Sequence, residues 1–247
     1  LGLDLEAFAG WPNRRRVLRD ELGASDRDVL VGIVGRLTEI KNHSLFLQAA
    51  ARYKEARAAA SGSETRRRVR FVIIGDGQLL GQLEAEARTL GLESDVLFLG
   101  QRDDAENFYP GLDILALTSR NEGTPLTLIE AMANERAVVA VSVGGVVDLV
   151  GDETRAPSSR RSEEYKVCER GVLVRPQDAR AFASALDLLI EDEELRRDMG
   201  ARGRRFVERS YAKERLIGDV EKLYEELLHR EAAGAHDLSR AGRLLGD

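Results

Sequence analysis

The chain has 247 residues, a net charge of −6, 43% hydrophobic residues and one cysteine. That apolar content supports a packed core, and at about 150 residues per domain the length fits one large domain or two small ones. No run approaches the ~18–20 apolar residues of a membrane span, the acidic balance gives no general pull toward nucleic acid, and Cys168 alone excludes an internal disulfide or a multi-cysteine metal site.

His43, His229 and His236 are too scattered for a zinc cluster. No basic-then-apolar stretch opens the chain, and it begins at Leu1 and not at Met, so the expectation is a fragment or processed chain in the reducing cytoplasm. Residues 1–28 read as a lead-in with a short helix over Asn13–Leu22. The continuous β-branched run Val29–Val34 then predicts a buried parallel strand. A helix is predicted over Asn42–Ala60, a strand over Val69–Ile74, and a helix over Gln78–Leu90 closed by Gly91. Strands at Val96–Leu99, Asp113–Leu117, Val138–Val141 and Gly171–Val174 follow, with helices at Ala105–Tyr109 and Pro125–Ala133. Helices over Ala179–Ile190, Glu193–Ser210 and Lys213–Leu228 close the pattern. Residues 151–168, with Pro157, two serines and a charge cluster, read as low-order, and the tail 231–247 as frayed.

Strand and helix alternate with short connections, which is the sequence form of an α/β fold with one Rossmann-like, doubly wound parallel sheet, here over residues 29–230. Ligands of such sheets bind at the carboxyl ends of the strands, where strand order reverses. After the first strand, Gly35-Arg36-Leu37-Thr38-Glu39-Ile40-Lys41-Asn42 places two cations between a strand end and a helix start. A helix N-terminus favours anions, and Arg36 and Lys41 suit phosphate oxygens; solvated loop cations are the equally weighted alternative. Gly75-Asp76-Gly77 reads first as a tight turn. Arg102 can stack on a nucleobase, but a loop arginine is more often a surface charge.

After the fourth strand, Thr124-Pro125 reads as an N-cap followed by proline at the first helical position, with Gly123 exposing backbone N–H groups just before it. Leu126 opens the apolar run of that helix. Glu122 and Glu130 are separated by seven residues, so a loop carboxylate and a helix carboxylate converge on one cleft. Glu130 sits in an apolar run and needs a partner: a ligand hydroxyl, or an internal lysine or arginine. Gly144-Gly145 either leaves room for a ligand or serves packing.

In order along the chain, these motifs resemble the C-terminal, donor-binding domain of the group 1 retaining glycosyltransferases of GT-B fold (glycosyltransferase family four). The segment Leu1-Gly2-Leu3-Asp4 with Phe8 is similar to the stretch past the interdomain linker, Gly35-Arg36-Leu37 with Lys41-Asn42 to the phosphate-binding element, and Glu122 to Glu130 to the E-x7-E signature. Gly144-Gly145 and Gly171–Val174 fit as well. The resemblance implies that Arg36 and Lys41 hold the diphosphate and that Glu122 contacts donor-sugar hydroxyls. It places the backbone of Gly123, Thr124, Pro125 and Leu126 near phosphate and sugar, Glu130 on the ribose, and Arg102 in the loop bordering the base. Two departures stand out: Glu135 and Ala137 replace the family's usual glycine and proline, and residues 153–168 form a longer, more charged connection.

The family's N-terminal, acceptor-binding domain has no counterpart here, so the resemblance implies half of an enzyme, with apolar surface exposed on the final helices and any membrane association left to the absent half. The implied activity is transfer of a hexosyl group from a UDP-, GDP- or ADP-linked sugar to a hydroxyl, with retention and no metal or other cofactor; the fragment alone would bind donor without turnover. The alternatives are a sugar-nucleotide epimerase, a glycogen or starch synthase type, or a non-catalytic binding or scaffold domain. Nucleic-acid binding through Arg14–Arg16, Arg66–Arg68 and Arg202–Arg205 is disfavoured, because these clusters are short and lack aromatic partners. A dehydrogenase is excluded because no G-x-G-x-x-G follows the first strand.

Overall fold

In a computed structural model, which describes residues 1–59, 67–154, 160 and 162–244 (beyond residue 229 as helix backbone only), one sheet organises the chain. Its strands are β1 (Val29–Val34), β2 (Val69–Ile74), β3 (Val96–Phe98), β4 (Ile114–Leu117), β5 (Ala137–Val141), β6 (Tyr165–Val167) and β7 (Val172–Val174). The spatial order is β3-β2-β1-β4-β5-β7-β6, with every pair parallel except β6 against β7. Strand order reverses between β1 and β4, and that junction is where ligand crevices form in such sheets.

Alternation along each strand feeds two apolar layers. Val31, Ile33, Phe71, Ile73, Ile114 and Val139 face one layer, with α2 (His43–Ala59), α3 (Leu80–Thr89) and α7 (Ala179–Glu191). Leu30, Val72, Leu115 and Val138 face the other, with α1 (Trp11–Glu21), α5 (Leu126–Ala133) and α6 (Val146–Val150). The short helix α4 (Ala105–Phe108) crosses to the second layer. Helix α8 (Glu193–Tyr211) contributes Leu195 and Met199 to the first layer and Val207 to the second.

The lead-in is tied into this frame. Arg19 is fully buried and donates to Gly111 O, Ser25 O and Asp113, whose carboxylate also accepts from Arg15 and the Leu30 amide. Leu3 pairs with residues 211–213 through its own amide and carbonyl, joining the first residues to the base of α9 (Lys213–Leu244).

Two expectations change. Residues 151–168 are not uniformly low-order: Tyr165–Val167 forms the antiparallel edge strand β6, while Pro157 and its serine neighbours lie outside the described residues, as do Arg66 and residues 245–247. The last helix runs to Leu244 instead of ending near Leu228. Ile217, Leu223, Tyr224 and Leu228 on α9 are exposed, as expected for the final helices. Glu135, in the position of the family's glycine, takes φ +57°, so the turn before β5 keeps a left-handed backbone despite the substitution.

Candidate functional site

Four loops at the carboxyl edge are stitched to one another. The β1–α2 loop is held to the β2–α3 loop by Gly35 N to Ile74 O and Leu37 N to Asp76 O, both 2.9 Å. Here Gly75 serves close packing: a Cβ on it would overlap the Gly35 carbonyl oxygen. The same loop is held to the β4–α5 loop by Arg120 N to Ile40 O at 2.8 Å and Thr118 Oγ1 to Lys41 O at 3.0 Å. The β4–α5 loop in turn accepts from Gly145 N at Glu122 O, 3.3 Å. Cβ atoms on Gly144 and Gly145 would overlap the Glu122 and Gly123 carbonyl oxygens, and Gly144 has φ +48°. The Gly-Gly pair therefore serves packing, bringing the β5–α6 loop against the segment that carries Glu122.

These stitches place Lys41 Nζ 2.6 Å from Glu122 Oε1, across the β1–β4 junction, with the Glu122 side chain only 10% exposed. Asn42 follows at φ +52°, a conformation asparagine tolerates, and α2 starts at the next residue. Arg36 is exposed on the same loop, and its guanidinium has no hydrogen-bond or ion-pair partner among the described residues. The amides of Gly123 and Thr124 likewise find no acceptor among the described residues, and Leu126, as the first residue of α5, leaves its N–H without an intrahelical partner. A guanidinium without a partner among the described residues, a paired ammonium and two helix starts thus share the carboxyl edge at the β1–β4 junction, a combination suited to an anion.

The helix start differs from expectation. Pro125 occupies the N-cap position with ψ 110°, Leu126 is the first helical residue, and no side chain caps the helix. The ring that fixes φ at Pro125 also disfavours helical backbone at Thr124, so Thr124 stays outside the helix with its N–H free.

Among the described residues, Glu130 has neither a lysine nor an arginine partner. The Tyr109 hydroxyl donates to Glu130 Oε2 at 2.8 Å. Burial raises the Glu130 carboxyl above its ordinary value while the Tyr109 bond lowers it, and burial beside Glu130 pushes the Tyr109 phenol well up. Tyr109 was not visible as a partner in the sequence, since it is 21 positions away in the turn after α4. Arg102 is held as a surface charge: it forks onto Asp104 at 2.9 and 2.8 Å and meets both Glu21 oxygens at 2.8 and 2.7 Å. With four donor contacts engaged on carboxylates, it does not join Lys41 and Glu122. His43, at the start of α2, is buried with neither ring nitrogen partnered, and burial followed by the Lys41 charge lowers it to about 4, which keeps the ring neutral.

The fold is an α/β domain with one mostly parallel sheet whose strand order reverses between β1 and β4. The pattern described as "Glycosyl transferases group 1" matches residues 14–206, and the chain belongs to that family. Over 254 aligned residues it is 30% identical to the D-inositol 3-phosphate glycosyltransferase of Salinispora tropica, covering 98% of this chain and 48% of that protein. The crystal structure of Anabaena Alr3699/HepE in complex with UDP shares the fold with a TM-score of 0.74 at 22% identity, over 91% of this chain and 56% of that one. The C-terminal domain of the group 1 protein LpcC from Francisella tularensis is 26% identical with a TM-score of 0.67, over 86% of this chain and 100% of that domain. The chain spans about half the length of the curated relatives it matches, 48% in the Salinispora case. It is thus one Rossmann-like half of the GT-B architecture. Among the described residues, no helix is long and apolar enough to cross a membrane.

Proposed function

We propose that this chain is the donor half of a retaining glycosyltransferase and that it binds a nucleoside-diphosphate sugar at the β1–β4 crevice. Transfer of the hexosyl group to an acceptor hydroxyl breaks the bond between the anomeric carbon and the diphosphate oxygen, and negative charge builds on the departing diphosphate. Arg36 and Lys41 meet that charge, aided by the amides of Gly123, Thr124 and Leu126. Cations fixed before the reaction starts stabilise such charge without reorganising. Glu122, fixed by Lys41, accepts from donor-sugar hydroxyls, and Glu130, fixed by Tyr109, accepts from the ribose. UDP is the favoured carrier, because Anabaena HepE has been solved with UDP and with UDP-glucose.

The observation that carries this reading is the Lys41–Glu122 pair beside an unpartnered Arg36 at the sheet's switch point. The test is calorimetry of UDP against the wild type, Arg36→Ala and Lys41→Ala. Each substitution is expected to weaken UDP at least tenfold, about 1.4 kcal/mol. Arg36→Ala should leave stability within about 0.5 kcal/mol, since it breaks no contact. Lys41→Ala should also destabilise the fold by about 1–3 kcal/mol, because it strands a largely buried carboxylate. Absence of UDP binding at millimolar concentration overturns the reading.

A further inference from the structure

A cavity of about 380 Å³ opens at the opposite pole of the sheet. Its lining includes Val29 at the start of β1, Asp113 before β4, and Glu135 and Arg136 before β5, with Trp11 and Arg15 from α1 and Arg196 and Arg197 from α8. Six guanidiniums and five carboxylates face it.

Most of those carboxylates are already engaged. Asp26 pairs with Arg16, outside the cavity, at 3.0 Å. Asp28 accepts from the Ser25 amide and hydroxyl. Asp113 is shared between Arg15 at 2.7 Å and Arg19 at 2.9 Å. Glu193 holds Arg67 at 2.9 Å. None of Arg27, Arg136, Arg196 and Arg197 forms an ion pair with a carboxylate among the described residues.

Arg27 and Arg197 are exposed and have no partner among the described residues. Arg136 and Arg196 are 6% and 8% exposed, and their side-chain hydrogen bonds among the described residues all go to backbone carbonyls. Arg136 donates to Asn134 O, Pro110 O and Leu112 O, and Arg196 donates to Leu189 O and Ile190 O. Trp11 closes one wall, its ring 4.3 Å from the Arg136 guanidinium carbon. Burial lowers both arginines, Arg136 to about 9, against the opposing pull of Asp113 on each and of Glu135 on Arg136 and Glu193 on Arg196.

A buried cation that lacks a carboxylate is costly, and an anion in the cavity relieves that cost. Planar guanidinium forks match the oxygens of a phosphate. A volume of this size also sits in the range of small-molecule sites, with space for an organic group on the phosphate. We propose that this amino-end cavity binds a small phosphate-bearing anion, at a site distinct from the carboxyl-edge crevice.

The test is calorimetric titration of inorganic phosphate into the chain carrying Arg36→Gln and Lys41→Gln, at constant ionic strength, so that the carboxyl edge is silent. Saturable binding with one phosphate per chain is expected. Adding Arg27→Gln and Arg197→Gln, both exposed and unpaired and so neutral for folding, should weaken it at least tenfold while circular dichroism stays unchanged. No saturable phosphate binding in the first variant, or unweakened binding in the second, overturns the proposal. UDP affinity of the wild type reads the carboxyl-edge proposal separately.

Discussion

Replacing Gly144 with alanine tests whether loop packing sets the position of Glu122. At φ +48° an alanine takes on the left-handed penalty of about 1–2 kcal/mol. Its Cβ would also overlap the Glu122 carbonyl oxygen, so the β4–α5 and β5–α6 loops must part, and overpacking of that kind costs about 1–3 kcal/mol. Parting them breaks the Gly145 N to Glu122 O bond, worth about 0.5–1.5 kcal/mol. Against these stands a gain of about 0.4–1 kcal/mol from a stiffer unfolded chain. The expected net loss is about 2–6 kcal/mol in urea unfolding. Because Glu122 then shifts away from Lys41, UDP should bind about tenfold more weakly, about 1.4 kcal/mol. Gly123→Ala is the control: a Cβ there meets nothing within 4 Å, so stability should stay within about 0.5 kcal/mol. A Gly144→Ala protein as stable as the wild type, or a Gly123→Ala protein as damaged, refutes the reasoning.

Tyr109→Phe removes the one side-chain bond, among the described residues, that favours the charged form of Glu130. A carboxyl whose folded value lies above its unfolded one contributes stability below the unfolded value and loses it as pH rises through the folded value. The substitution moves the folded value further up, so the deficit against the wild type should reach about 1–3 kcal/mol at pH 8 and shrink below pH 4.5, measured by unfolding across pH. Glu135→Gly should raise stability by about 0.5–1 kcal/mol, because it relieves the left-handed strain at φ +57° and returns only part of that as glycine entropy; thermal unfolding reads the gain. In the intact enzyme, Arg36→Ala should lower turnover by about 10²–10³-fold, as loss of one charge-stabilising donor does, while excess EDTA should leave wild-type turnover unchanged.

The sheet was legible because its strands are continuous apolar runs bounded by glycine, a pattern that parallel burial imposes locally. Arg36, Lys41 and Glu122 were legible for a related reason: each lies within a few residues of a strand's carboxyl end, and topology then carries them to one junction. What escaped depends on distance along the chain. The partner of Glu130 lies in the turn after α4, and Arg102 answers to Glu21, 81 positions away. Gly144 and Gly145 left packing and ligand access equally open until the opposing carbonyl oxygens were located. Strand β6 is three residues long, too short for an alternation to register, and takes its conformation from pairing with β7. At Pro125 the one-residue shift of the helix start follows from competition between two rules, since proline favours the first turn yet holds its neighbour extended.

The proposed function rests on a nucleoside diphosphate lying across the β1–β4 junction. Amide chemical-shift mapping during a UDP titration addresses it most directly. The largest saturable shifts are expected on Gly35–Asn42 and Gly123–Leu126, with the Lys41 amide among them. Shifts confined to other parts of the sheet, or none at millimolar UDP, contradict it.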